Sequence, residues 1–213
     1  MQPSARILFN LTGNKSYYLW NGTEIYFSKL RSAYTDILND KESDYLFFAF
    51  TILCASTLEY SLNYTLADYC IAKFGNQGYK AYFESYKGLG FKNKLLMSPF
   101  IISNGKYRMN ENHSSFKKLE ELIVLRNKIL HNKELLKEFD CPINGECDNE
   151  NIYIPIEKTT IEFELPYHDN YIELLTKDSC LSFGNAMGDF KNFIMTPSLC
   201  ENITDNEMII RLK

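Results

Sequence analysis

Arginine is scarce in this chain. Of 23 basic residues only five are arginines (Arg6, Arg31, Arg108, Arg126, Arg211), and 27 acidic residues bring the formal net charge of the 213-residue sequence to −4. That balance excludes a generally basic protein that coats duplex nucleic acid. It leaves room for a nucleic-acid enzyme whose positive charge is confined to one cleft. The motifs G-x-x-x-x-G-K-[ST], G-x-G-x-x-G and G-x-S-x-G are all missing, so the main nucleotide-binding and hydrolase classes lack support. Residues Met1 to Asn10 hold no sustained apolar run and no small-residue cleavage site, so no secretory signal is expected and a cytoplasmic location is. The six cysteines (Cys54, Cys70, Cys141, Cys147, Cys180, Cys200) are scattered. The spacing Cys141-x5-Cys147, with His168 the one downstream histidine, is wider than a usual zinc-binding pair. Free thiols are therefore expected, with no metal and no cofactor.

What is present describes a globular protein: 45% hydrophobic, 23% charged and 15% aromatic residues, in a chain long enough to bury a sizeable core. From Tyr45 to Ala67 the single charge is Glu59, and a helix of that length would cross a bilayer. Thr51, Ser56, Thr57, Ser61 and Asn63 are too many polar groups for a lone span, and no basic cluster flanks it. A buried central helix and no membrane partner are expected.

Periodicity predicts a mainly α fold. Residues 1–27 read as a β or irregular appendage, with Ile7-Leu8-Phe9, Tyr17-Tyr18-Leu19 and Ile25-Tyr26-Phe27 as short strands of a meander. Residues 28–213 read as a helical domain. Its helices run from Leu30 to Leu38, from Ser43 to about Phe74 (stopped by Gly75), over Tyr79–Tyr86, over Phe91–Met97, from a cap at Ser114 or Ser115 to about Phe139, and from Tyr171 to Ile194. Ser103 to Asn112 reads as a loop, and residues 150–165 as an inserted hairpin.

The helix from Ser115 carries the chemistry. At about 100° per residue, Leu119, Leu122, Ile123, Leu125, Ile129, Leu130 and Leu136 share one apolar arc, and Arg126 falls near its middle. A guanidinium there is costly to bury unless it is paired or faces a wet cleft. Asn127 and His131, four apart, stack at the edge of the same arc. A charge, an amide and an imidazole thus meet where the core borders something else.

The segment Arg126-Asn-Lys-Ile-Leu-His131 resembles the R-x(4–6)-H signature of HEPN-domain ribonucleases, including the polar residue directly after the arginine. Leu58-Glu59-Tyr-Ser-Leu62-Asn63 resembles the second HEPN helix, with its E-x-x-x-N pattern, and Leu89 to Leu96 resembles the short helix before the motif helix. The likeness covers about residues 28–195. It implies a HEPN-like helical bundle, dimerised so that two motif helices face each other across one cleft with the active site at the interface. It also implies metal-independent RNA cleavage leaving a 2′,3′-cyclic phosphate, in a toxin or antiviral defence effector. Carried over, His131 is the general acid or base, Arg126 holds the scissile phosphate and Asn127 orients either. Lys128 and Lys133 add positive charge for RNA, and Glu59 or Asn63 braces Arg126 from the neighbouring helix. Where some members carry a tyrosine two residues after the histidine that accepts a nucleotide from an antitoxin, this chain has Lys133. That modification is excluded, and any antitoxin or regulatory partner is left unspecified. The alternative within the family is a non-catalytic RNA-binding or dimerisation module.

Overall fold

The computed structural model describes residues 5–8, 16–39, 44–130, 175–194 and 207–212. In order these form β1 (Ala5–Leu8), β2 (Tyr17–Trp20), α1 (Thr23–Leu38), α2 (Asp44–Lys87), α3 (Phe91–Ile102), β3 (Tyr107–Met109), α4 (Ser114–Leu130), α5 (Lys177–Ile194) and β4 (Ile209–Arg211). The fold is mainly helical. Counting α2 as two segments meeting at Gly75, there are six helices among the described residues. The hairpin expected over 150–165 lies outside the described residues.

α2 is the central element because its apolar residues recur around much of the helix. Phe47, Phe50, Cys54, Leu58, Leu62 and Leu66 are buried along it. Its buried hydroxyls are satisfied locally: Thr51, Thr57 and Ser61 each donate to the carbonyl four residues back, at 2.9, 2.7 and 2.7 Å. That back-bonding lets polar side chains sit in an apolar interior without an orphaned donor. Tyr45–Gly75 is long and apolar enough to cross a membrane: an 18-residue stretch of it has a mean hydropathy of 1.4, and half of that stretch is buried inside the protein. At Gly75 the backbone turns to φ 67°, ψ −178°, a conformation that favours glycine. The helix breaks there and resumes at once, which explains why the sequence reads as two helices.

α1 and α5 pack beside α2. Tyr60 of α2 meets Gly22 at the start of α1, and Phe50 meets Tyr34 near its end, so α1 runs antiparallel to α2. Lys191 reaches Glu24 while Asn185 reaches Tyr34, so α5 runs antiparallel to α1 in turn. α4 packs on α5 and α2, and Phe116, Leu119, Leu122 and Ile123 are its buried stripe.

Three local expectations are corrected. Ile25-Tyr26-Phe27 lies within the first turn and a half of α1 and is not a third strand. Thr23, Phe27, Leu30 and Ile37 bury one helical stripe, which a strand could not do. The N-terminal β addition is therefore the antiparallel pair β1–β2 alone, with Ala5 opposite Trp20 and Leu8 opposite Tyr17. Within Ser103 to Asn112, Tyr107–Met109 is a strand, paired antiparallel with Ile209–Arg211. Such a three-residue pairing, made by segments far apart in sequence, leaves no local periodicity to read. The N-terminus of α4 is capped by neither serine side chain: the His113 Nδ1 accepts the Ser115 N–H at 3.2 Å, while the Ser115 hydroxyl donates to Asp189 Oδ2.

Candidate functional site

Arg126 sits where the apolar arc of α4 meets α2. Its side chain is 23% exposed, against 35% for Glu59 across the helix pair. Arg126 Nη2 lies 3.5 Å from Glu59 Oε2, and Nη1 donates to Asn127 Oδ1 at 2.9 Å. The mid-arc guanidinium is thus both paired and at the edge of the core, which meets the cost of its position. Because Leu58 and Leu62 on either side of it are fully buried in the core, Glu59 is a firm base for this contact.

Of the seven residues singled out in the sequence, the structure brings together Arg126, Asn127 and Glu59. Asn127 and Lys128 are exposed. Asn63, one turn beyond Glu59, makes no hydrogen bond to Arg126; its Oδ1 is buried without a partner among the described residues. An orphaned buried amide oxygen costs about 1–3 kcal/mol; the Thr23 hydroxyl, at the start of α1, is the other such group among the described residues. His131 and Lys133 lie outside the described residues, as do Leu136, Cys141, Cys147 and His168. Leu130 falls on the buried arc by angle but is 47% exposed. Ile129, one residue earlier, is partly buried against the core, so the expected arc is corrected at Leu130.

From the sequence His113, just before the motif helix, reads as a surface residue, which is corrected here, and Asp189 goes unremarked. His113 is half-buried and caps α4, with Nε2 3.8 Å from Glu207; its place directly ahead of a helix-starting Ser-Ser pair was the available signal. Asp189 carried none, since its partner Ser115 is 74 positions away in sequence.

Among the described residues no group of three His, Cys, Asp or Glu is placed to hold a metal ion. The described cysteines Cys54, Cys70 and Cys180 are free and buried. Burial pushes Cys54 well above the ordinary thiol range, with the neighbouring Cys180 adding to the shift. Burial also raises Cys180, to about 11, against a smaller opposing effect from Thr51. Thiols so shifted are poor nucleophiles and poor metal ligands. No family model, no characterised protein and no solved structure matches the chain.

Proposed function

We propose that the chain is a metal-independent endoribonuclease of the HEPN type, acting as a homodimer whose motif helices line a shared cleft. The observation that carries this reading is the Arg126 cluster: a guanidinium fixed by Asn127 and Glu59 at the rim of the core, five positions ahead of a histidine in sequence. Arginine suits a phosphate because its planar fork donates to two oxygens at once.

In the proposed reaction the imidazole of His131 takes the proton of the RNA 2′-hydroxyl as the 2′-oxygen attacks phosphorus. Arg126 holds the charge that gathers on the non-bridging oxygens. The 5′-oxygen leaves with a proton from an acid, completing a 2′,3′-cyclic phosphate and a free 5′-hydroxyl. Lys128 and Lys133 supply further positive charge along the strand. The role in defence or as a toxin rests on the motif resemblance alone.

One observation favours a second reading. A guanidinium already facing Glu59 offers less charge to a phosphate, as expected of a HEPN module that binds RNA or dimerises without cutting. Incubating wild type and His131→Ala with total RNA in EDTA separates the two. The nuclease reading expects fragments ending in cyclic phosphate from wild type and none from the variant. Cleavage that persists in His131→Ala, or that requires Mg²⁺, refutes the mechanism; RNA bound but uncut by wild type selects the second reading.

A further inference from the structure

Between α1 and α5 lies a cleft of about 420 Å³, within the size range of small-molecule sites. Its floor is apolar: Phe27, Leu30 and Met187 line it and are buried. Two glycines of α5 divide the labour along its wall. A Cβ at Gly184 would stand 2.3 Å from the Tyr34 ring, so the helices close tightly there, whereas a Cβ at Gly188 would meet nothing within 4 Å. The space beside Gly188 is the open part of the cleft.

The charges on the two walls are unbalanced in a specific way. Lys191 is satisfied, 3.1 Å from Glu24 and lying over the Phe27 ring. Arg31, on α1, lines the cleft and makes no ion pair with a described residue. Asp189, on α5, lines it too and, among the described residues, is met by the neutral hydroxyl of Ser115 and by no cation. The two charges stand on opposite walls and form no ion pair with each other. Both are exposed, so a simple anion would engage Arg31 alone and a simple cation Asp189 alone. A zwitterion with an apolar body answers both walls and the floor.

We propose that this cleft binds a free α-amino acid with a large apolar side chain. Its carboxylate pairs with Arg31, its ammonium group with Asp189, and its side chain lies over Phe27, Leu30 and Met187. The site is independent of the Arg126 cluster and stands whether or not the protein cuts RNA.

The test is calorimetric titration of the full chain with L-leucine, L-methionine, L-phenylalanine and L-tryptophan. At least one binds with a Kd below about 1 mM. For phenylalanine, the analogues phenethylamine (no carboxylate) and 3-phenylpropionate (no amine) bind at least about tenfold more weakly. Arg31→Gln erases the preference for phenylalanine over phenethylamine. Gly188→Leu occupies the open part of the cleft and removes binding while the thermal midpoint does not fall. The proposal is overturned if none of the four amino acids binds at about 10 mM, if the analogues match phenylalanine, or if Gly188→Leu binds as wild type does.

Discussion

The Glu59 carboxylate faces the Arg126 guanidinium across the α2–α4 contact at 3.5 Å, so the residue proposed to hold phosphate is already held by an acid. The pair is partly exposed, and its net worth is about 1 kcal/mol. Glu59→Gln is expected to lower the unfolding free energy by about that amount, measured in urea. On the nuclease reading the same change tightens RNA binding, because Arg126 then faces no competing charge. Weaker RNA binding by Glu59→Gln would show that the acid positions the guanidinium rather than restraining it.

Asn63 offers a separation of stability from function. Replacing it with leucine removes the orphaned buried oxygen and is expected to stabilise the fold by about 1 kcal/mol. If the amide serves the site, cleavage falls while stability rises. A variant that is less stable would mean that the amide is satisfied in solution.

The two glycines of α5 predict opposite signs for the same substitution. Gly184→Ala drives a methyl group into the Tyr34 ring and is expected to cost about 1–3 kcal/mol. Gly188→Ala meets nothing and gains helix propensity, about 0.8–1 kcal/mol of stabilisation. Thermal unfolding of the two variants side by side reads the difference.

Tyr60 ties the N-terminal strand pair to the core. Its hydroxyl accepts the Gly22 N–H at 2.8 Å and donates to the Trp20 carbonyl at 3.0 Å, while its ring stacks on Tyr26 at 4.5 Å. Tyr60→Phe keeps the stack and loses both hydrogen bonds, for an expected cost of about 1–2 kcal/mol. Protease sensitivity near Trp20 should rise in the variant.

The buried thiols set an alkaline limit. Cys180 is raised to about 11 in the folded protein, whereas an unfolded thiol ionises near about 8.5. Between those values the unfolded chain has lost the proton and the folded one keeps it, so folding stability falls as pH rises through that window. Below it the contribution is flat. Equilibrium unfolding from pH 7 to 11 should show this fall, and Cys180→Ala should make it shallower. At pH 8 a thiol reagent should leave Cys54 and Cys180 unlabelled until the protein is unfolded.

Elements with strong local signals were legible in the sequence. The apolar run of α2, its break at Gly75 and the arc of α4 with Arg126 in its middle all follow from periodicity and composition. What escaped depends on contacts between distant segments. The β3–β4 pair joins residues about a hundred positions apart, and neither half has enough alternation to declare itself. Ile25-Tyr26-Phe27 looks extended as a triplet and becomes helical because Phe27 shares a face with Leu30 and Ile37. At the candidate site, the contact of Glu59 with Arg126 was legible only through the motif resemblance, which offered Glu59 or Asn63 as the brace. Asn63 kept apart from Arg126 was not, because the rotation of one helix against another is set by packing.

The break at Gly75 divides α2 into parts of unequal fate. Before it, nearly every turn contributes a side chain to the core; from Gly78 to Lys87 no residue is buried. The second segment leans back through the Phe74–Tyr82 ring stack, 3.6 Å between centroids, and through Tyr86. Amide hydrogens of the two parts should therefore exchange with solvent on different clocks. Those between Phe50 and Ile71 wait for the whole molecule to open, while those beyond Tyr79 are released whenever one aromatic stack lets go.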